Sequence, residues 1–243
     1  MQHLQQNNIE VIHLLKQQVF TTCKILVNLH LDSGPFGNIS VRLPGSNIFC
    51  VNPEGLTFDQ LKPQDILCID IEENGLGNTR KPHPGTFIHR EIYRLRSDIN
   101  AIVHTHSKNT VLMSLLGCTI EPFTQLGAAI YNDQGIYHGF TGPVRTSDEG
   151  REIATALADK SIVIAKNHGV FTTGQSIQSA LWDMVVTDLA SDIHIAAQQL
   201  GLKQTEKLST EYMEKSKIEV RDKQCDYMWK NYLEKISGYL PKK

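Results

Sequence analysis

Hydrophobic and polar residues alternate over several short stretches of the chain, and this period of two is typical of β-strands. Other short stretches are rich in β-branched residues, which is typical of buried strands. Tight turns separate the first of these stretches, so we expect a largely antiparallel sheet. The predicted strands lie at residues 38–42, 48–51, 65–70, 101–106, 161–165 and 171–173.

Between the strands, apolar residues recur at intervals of three and four, which predicts amphipathic helices. The first helix ends before a cluster of helix-breaking residues at 32–35. Ser147 or Asp148 is the expected N-cap of a later helix, and Gly201 is expected to end the longest one. The stretch 121–142 is mixed and aromatic. The predicted helices lie at residues 9–27, 86–96, 108–116, 147–157 and 176–200.

Helices and strands are interleaved without an internal repeat, which indicates a single α/β domain. We place this domain at residues 1–205 and a helical, Lys-rich tail at 206–243. The tail helix carries three aromatic residues, Tyr227, Trp229 and Tyr232, which we expect to pack within the tail or over a neighbouring subunit.

Composition narrows the class of protein. The 243 residues include 24 Lys+Arg and 26 Asp+Glu, and this net charge of -2 disfavours a nucleic-acid binder. No apolar run reaches the ~20 residues that a membrane span needs, and the start of the chain lacks the pattern of a signal peptide. The five cysteines are widely spaced without a CxxC pair, so we expect reduced thiols in a cytoplasmic protein.

Ten histidines are an unusual number for this chain, and three of them have a suggestive spacing. His104 and His106 lie on one face of a predicted strand, with Cβ atoms ~6.5–7 Å apart. His168 directly follows the next predicted strand, at 161–165. Three imidazoles with an open position are typical of a catalytic metal site. The alternative is that each histidine only packs within the fold, since an HxH pair by itself is a weak motif.

Several motifs occur in an order that resembles the class II aldolase/adducin family. They are residues 37–42, 52–56, His89 with Tyr93, 97–106 and 167–169, and the resemblance runs from the first helix to Gly201. It implies a three-layer α/β/α fold with a central, largely antiparallel sheet. It also implies a homo-oligomer, often a tetramer, with active sites at subunit interfaces and no nucleic-acid or membrane partner.

The same resemblance implies one divalent metal ion and a small-molecule substrate. The family's metal ligands correspond here to His104, His106 and His168. Zinc is the first expectation, with manganese or iron as alternatives.

The chain departs from the sugar-phosphate aldolases of that family at the substrate pocket. Their Pro-Ser-Ser-Glu motif reads Pro-His-Pro-Gly at 82–85, so Gly85 replaces the acid/base and His83 and Pro84 replace the phosphate-binding serines. Glu54 would repel a phosphate dianion. Residues 85–89, Gln125, 137–138 and Trp229 resemble the adducin-like branch instead.

These departures suggest other residues for catalysis and substrate binding. His83 suits proton transfer because the ordinary histidine pKa is ~6.5, and Glu54 could replace the missing carboxylate. The alternatives are an exposed loop histidine and a surface turn residue. His89 is expected to support the site. The expected substrate-binding residues are Gly37, Asn38, Tyr131 and His138; a tight turn or ordinary packing would also explain them.

The sequence therefore suggests a divalent-metal-dependent lyase of the decarboxylase or aldolase type. Its expected substrate is a small keto or hydroxy acid, which would react through a metal-stabilised enolate. Two alternatives remain: a non-haem iron oxygenase on the same fold, and a non-catalytic adducin-like interaction module.

Overall fold

The computed structural model describes residues 2–72, 80–139, 142–202 and 208–239. The strands are β1 Asn38–Arg42, β2 Ile48–Val51, β3 Leu67–Asp70, β4 Ala101–Thr105, β5 Gln134–Tyr137, β6 Ile162–Ala165 and β7 Gly169–Gly174. The helices are α1 Gln2–Asn28, α2 Thr86–Leu95, α3 Lys108–Leu116, α4 Gln125–Ala129, α5 Ser147–Leu157, α6 Ile177–Gln199, α7 Thr210–Ser216 and α8 Lys223–Lys235.

The seven strands form one sheet in the order β3-β2-β1-β4-β7-β6-β5. Of the six pairings, only β5 with β6 is parallel. The largely antiparallel sheet that the turns predicted is therefore confirmed. The central position of β4, between β1 and β7, matters most for function because β4 carries His104.

Helices cover both faces of the sheet. One core cluster joins α1 and α6 to the sheet, and it includes Val19, Ile39 and Leu181. A second joins α2 and α5 to the opposite face, and it includes Ile92 and Ile153. A third lies along α3 and α6, and it includes Met113 and Trp182. Helices packed on both faces of the sheet make the three layers of the expected α/β/α fold, which is confirmed.

Several local details differ from the sequence prediction. The strand expected at 65–70 begins at Leu67, because the turn Pro63–Asp65 is a 3₁₀-helix that starts at a proline. The strand expected at 101–106 ends at Thr105, so His106 lies just beyond it. Helix α4 and strand β5 form within the aromatic stretch at 121–142, where no element was predicted.

The N-cap of α5 is Thr146, and the expectation of Ser147 or Asp148 was wrong. The Glu149 backbone N–H donates to Thr146 Oγ1 at 3.3 Å, and the Thr146 N–H donates to Glu149 Oε2 at 3.1 Å. This reciprocal capping box satisfies two amide groups that the helix itself leaves unpaired.

We expect Thr146→Ala to lower the free energy of unfolding by about 1 kcal/mol, because it removes this cap. Urea denaturation followed by circular dichroism measures the change. Thr146→Ser keeps the hydroxyl and should retain nearly all of the stability. Equal losses in both variants would show that the cap is unimportant.

The C-terminal segment packs against the domain. Met213 is 5% exposed and Ile236 is 0% exposed, and Trp229 and Tyr232 lie against the α1–α6 core of the same chain. Tyr227 is exposed. The predicted boundary at 205/206 lies outside the described residues, as does the predicted loop at 73–78, so the division into domain and tail stays a prediction.

In the part of the chain that the structure describes, no helix combines the length and the apolarity that crossing a bilayer requires.

Candidate metal centre

Three imidazoles converge where β4 and the β6–β7 loop meet. The Nε2 atoms of His104 and His106 lie 3.0 Å apart, and each lies 3.1 Å from Nε2 of His168. His104 is buried, whereas His106 and His168 are half-buried. The three nitrogen atoms therefore form a nearly equilateral triangle with two members accessible from one side.

His104 is held in one orientation by its neighbours in the sheet. Its Nδ1–H donates to the Val170 carbonyl at 2.8 Å, and its ring stacks on Phe171 with centroids 3.8 Å apart. Because the proton is on Nδ1, the lone pair of Nε2 points toward the other two histidines. This is the tautomer that a metal ligand needs.

The Asn-His-Gly sequence of the β6–β7 loop positions His168. Asn167 adopts a left-handed conformation with φ of 64°, which asparagine tolerates better than most residues. A Cβ atom on Gly169 would lie 3.1 Å from the Thr105 carbonyl and 3.3 Å from Cδ2 of His106. Only glycine therefore lets the loop approach β4 closely enough for His168 to join the pair.

All three histidines are uncharged at neutral pH. Burial lowers the pKa of His106 to about 4 and of His168 to about 3, and burial lowers that of His104 well below its ordinary value. The proximity of the other imidazoles lowers the pKa of His104 and His168 further. Neutral imidazole is the form that binds a cation.

These donors fit a divalent ion. Three nitrogen atoms bonded to one ion at ~2.0–2.1 Å would lie about 2.8–3.4 Å apart for octahedral to tetrahedral angles. The observed separations of 3.0 and 3.1 Å fall in this range. The ligand atoms of these three side chains also form a group compact enough to hold a metal ion.

The three imidazoles line one side of a cavity of about 520 Å³. Apolar side chains from several elements form much of its wall, among them Phe36, Ile88, Val144 and Phe171. The polar side chains of the wall, apart from the imidazoles above, are Asn38, Glu54, His83 and Arg145. The cavity could therefore hold a small organic molecule with a polar end directed at the histidines.

Asn38 faces this cavity because β1 pairs with β4, which sets Asn38 directly opposite His104. Its Nδ2 lies 3.2 Å from Nδ1 of His83. A Cβ atom on Gly85 would lie 2.4 Å from that same Nδ2. The Asn38 amide therefore occupies the space that a side chain at position 85 would need. Among the described residues, the buried Oδ1 of Asn38 has no hydrogen-bond partner.

His83 is half-buried at the cavity wall and is not an exposed loop residue. Its Nδ1 accepts a hydrogen bond from the Gly85 N–H at 3.1 Å in addition to the contact with Asn38. Neutral His83 therefore carries its proton on Nε2. Burial lowers the pKa of His83, and the Glu54 carboxylate partly offsets this effect.

Glu54 belongs to an exposed turn beside His83. Its backbone N–H donates to the Lys81 carbonyl at 3.0 Å, which ties the turn to the segment that precedes His83. The side chain lines the cavity together with His83. The two residues that sequence reasoning proposed for catalysis are thus brought to the same wall.

His89 lies behind the cavity and contacts no solvent. It is 0% exposed, its Nδ1 lies 2.7 Å from the Ser40 hydroxyl, and that hydroxyl lies 2.7 Å from the Tyr93 hydroxyl. Burial lowers the pKa of His89 to about 3. Its place behind the wall suits a supporting residue.

The other expected substrate-binding residues are not among those that line the cavity of the single chain. Gly37 packs closely, since a Cβ atom there would lie 2.7 Å from Phe58 and 3.1 Å from the His104 carbonyl. Tyr131 follows α4, and exposed His138 follows β5; neither lines the cavity wall. A role for Tyr131 and His138 in binding stays a prediction that would require a second subunit.

Sequence reasoning missed Arg145 and most of the apolar wall. Arg145 lies in the loop before α5, and the packing of α5 against α2 brings it to the cavity. A single arginine in a polar loop has no periodic signal, so only a matched motif could have identified it.

Known proteins resemble the chain over most of its length. The family described as "Class II Aldolase and Adducin N-terminal domain" matches residues 17–195. A relative named "Decarboxylase NovR", from Streptomyces niveus, is 29% identical over 173 residues, or 70% of this chain and 64% of that protein. A Streptomyces roseochromogenus relative, "4-hydroxy-3-prenylphenylpyruvate oxygenase/4-hydroxy-3-prenylbenzoate synthase", is 28% identical over 173 residues, or 70% of this chain and 62% of that protein.

A solved structure extends the likeness to the whole fold. L-fuculose 1-phosphate aldolase from Glaciozyma antarctica superposes with a TM-score of 0.81 and 26% identity, covering 93% of this chain and 90% of that chain. The matched region spans less than two thirds of the two Streptomyces relatives. With the family matched over residues 17–195 and the same fold, the chain belongs to the class II aldolase/adducin family.

Proposed function

We propose that this protein is a divalent-metal-dependent carbon–carbon lyase, of the decarboxylase or aldolase type, that acts on a small keto or hydroxy acid. The observation that carries the proposal is the triangle of Nε2 atoms, 3.0–3.1 Å on each side, at the wall of the cavity. The proposed ligands are His104, His106 and His168. Zinc is the proposed ion, with manganese or iron as alternatives.

The charge of the ligands favours an anionic substrate. Three neutral imidazoles leave the charge of a divalent ion uncompensated, so a bound ion would act as a strong Lewis acid toward a carbonyl or carboxylate oxygen. Arg145 adds a second positive charge to the cavity wall. A keto or hydroxy acid could direct one carboxylate oxygen and its keto or hydroxyl oxygen toward the histidines. The rest of the molecule would then lie against the apolar wall.

A phosphate group suits this cavity less well. Pro84 has no N–H to donate, and neither His83 nor Pro84 has a hydroxyl group. Glu54 adds a negative charge to the same wall, which would repel a phosphate dianion. These residues favour a substrate whose charge is a carboxylate.

We propose that His83 and Glu54 handle protons in place of the carboxylate that is absent at Gly85. With Nδ1 of His83 engaged by Gly85 and Asn38, its Nε2–H is the proton that it would donate, in exchange for the hydrogen bond that the ring makes with the Pro35 backbone. The exposed Glu54 carboxylate beside it can accept a proton from the substrate and exchange it with solvent. Asn38 would orient His83 and offer Oδ1 to a substrate hydroxyl.

The experiment is a turnover assay on protein loaded separately with zinc, manganese and ferrous iron. Short 2-keto and 2-hydroxy acids, some with aromatic substituents, are compared with sugar phosphates, and carbon dioxide and carbonyl products are measured. We expect metal-dependent cleavage of an acid and little reaction of the phosphates. Cleavage of sugar phosphates alone would contradict the proposed substrate class.

A non-haem iron oxygenase is the second candidate, because the name of one relative includes the word oxygenase and the same three histidines could hold iron. Oxygen uptake that requires both substrate and ferrous iron would favour it over a lyase. The non-catalytic alternative predicts no turnover with any metal. It also predicts that variants of His104 and His168 bind a partner normally.

We also propose a homotetramer with active sites at subunit interfaces. Its support is the family relationship together with the open side of the cavity and the position of Tyr131 and His138 outside the wall of one chain. Light scattering on the purified protein tests the assembly.

A further inference from the structure

Two thiols face each other at the edge of the sheet, away from the cavity. Cys50 on β2 and Cys68 on edge strand β3 are partners in the antiparallel register. Their Sγ atoms lie 3.2 Å apart. Cys50 is 0% exposed and Cys68 is 7% exposed. This pair plays no part in the proposed lyase chemistry.

The backbone already has the spacing that a disulfide needs. Directly opposed residues in antiparallel strands have Cα atoms ~4.5–5.5 Å apart. Disulfide-linked residues have Cα atoms ~4.4–6.8 Å apart. The two sulfur atoms could therefore bond by small side-chain movements, without a change of register between β2 and β3.

The two thiols differ in acidity, which assigns them different roles. The hydrogen bond from the Cys50 thiol lowers the pKa of Cys68 to about 7, with burial opposing this effect and Lys16 adding to it. The same hydrogen bond and burial raise the pKa of Cys50. Cys68 is thus the thiol of the pair that loses its proton more readily, and it also lies on the outer strand.

The remaining three cysteines are less acidic than an ordinary thiol. Burial raises the pKa of Cys23, Cys118 and Cys225 above the ordinary value. Since the thiolate is the reactive form, these three should react slowly with oxidants.

We propose that Cys50 and Cys68 form a reversible thiol oxidation site whose co-reactant is hydrogen peroxide. The Cys68 sulfur attacks one peroxide oxygen, the O–O bond breaks, and Cys68 becomes a sulfenic acid as the first water leaves. The Cys50 sulfur then attacks the Cys68 sulfur, and the second water leaves as the S–S bond forms. Two thiols are oxidised and one peroxide is reduced to two waters. A small dithiol restores both thiols by exchange.

The disulfide would join edge strand β3 to β2, and the segment that follows β2 contributes Glu54 to the cavity wall. Immediately after β2, Asn52 accepts from the Ile39 N–H at 2.8 Å and donates to the Gly37 carbonyl at 3.1 Å. Glu54 follows two residues later. The oxidation site is thus four residues from a side chain of the cavity wall, on the same continuous segment.

The test is peroxide treatment of the full-length protein, followed by blocking of free thiols with N-ethylmaleimide under denaturing conditions. Digestion with trypsin together with a glutamate-specific protease isolates the two cysteines, because Glu54 lies between Cys50 and Cys68 and Lys24 lies between Cys23 and Cys50. We expect a Cys50–Cys68 linked peptide pair, lighter by two hydrogen atoms than the two peptides together, that dithiothreitol separates. Recovery of both peptides fully alkylated, or linkage of Cys68 to another cysteine, would overturn the proposal.

Variants assign the roles within the pair. In Cys50→Ser, the Cys68 sulfenic acid has no partner and should be trapped by dimedone. In Cys68→Ser, Cys50 should remain a free thiol under the same treatment. Cys23→Ser is the control, and it should form the Cys50–Cys68 link as the natural protein does. If dimedone labelled Cys50 in Cys68→Ser more than it labelled Cys68 in Cys50→Ser, the assigned roles would be contradicted. The Cys50–Cys68 link in the natural protein tests the pair itself and does not depend on how either variant folds.

Discussion

His104→Ala is expected to abolish stoichiometric binding of a divalent ion. The variant removes the buried member of the histidine cluster, whose Nε2 lies within 3.1 Å of both others and whose orientation the Val170 carbonyl and Phe171 hold. Two remaining imidazoles leave an incomplete site. We expect the dissociation constant to rise by more than about 100-fold, since loss of even an outer partner of a ligand costs 10–100-fold. Mass spectrometry of metal content after reconstitution and dialysis measures the effect.

Matched variants separate a lost ligand from a damaged fold. His168→Gln and His106→Gln change half-buried side chains and should also lose the ion, while circular dichroism stays unchanged. His13→Ala alters an exposed histidine of α1 and should retain full metal content. Natural metal content in the three cluster variants would refute the proposed site.

Arg221→Met is expected to lower the free energy of unfolding by about 3–5 kcal/mol, the usual cost of leaving a buried charge unpaired. Arg221 lies in the π-helical turn Lys217–Asp222 and donates hydrogen bonds to the carboxylates of Asp133 and Asp183. Asp133 is 6% exposed and Asp183 is 0% exposed. Without the guanidinium group, both carboxylates would remain in the interior without a counter-charge. Urea denaturation at pH 8 measures the loss.

The loss should shrink at lower pH. Burial raises the pKa of Asp183 to about 7, and Arg221 lowers it, so the variant should have a still higher pKa at this position. An unfolded aspartate has a pKa of ~3.9, so between these values the folded variant binds a proton that the unfolded chain does not. The folded variant therefore gains stability relative to the natural protein as the pH falls from 8 to about 7. Below about 7, Asp183 binds a proton in both folded proteins, and the difference in stability stays constant.

Lys223→Met is the matched control for Arg221→Met. Lys223 lies near Arg221 along the chain, but its ion pair with Glu219 is exposed, with side chains 60% and 49% accessible. Such pairs contribute ~0–1 kcal/mol. If the two variants lost the same amount of stability, the buried ion pair would have no special role in docking the C-terminal segment.

Local patterns predicted most of the fold, because each of those elements is defined by its own residues. The boundaries expected for β1, β2 and α3 coincide with those observed. Strand β5 was missed because it has four residues and contains Gly135, which weakens any strand pattern. The need for glycine at position 135 comes from the packing of α5 on β5, because a Cβ atom there would clash with the Ala156 carbonyl.

Some features of the candidate site could likewise be recognised in the sequence, and others depend on tertiary contacts. The HxH spacing and the Asn-His-Gly loop are local features, and they were recognisable as possible ligands. The contact between Asn38 and His83, and the space that excludes a side chain at Gly85, depend on β1 meeting the segment before α2. Arg145 and the apolar wall likewise come together only when α5 packs on α2.

The sequence by itself determined the chemistry that each strand end could provide: two imidazoles at alternate positions of one strand, and a third in the Asn-His-Gly segment that follows another. Only the tertiary structure decided that these imidazoles meet. His104 and His168 are 64 residues apart, and their Nε2 atoms come within 3.1 Å because β7 pairs with β4. Local periodicity records which face a side chain occupies, but the choice of neighbouring strand depends on burial across the whole sheet.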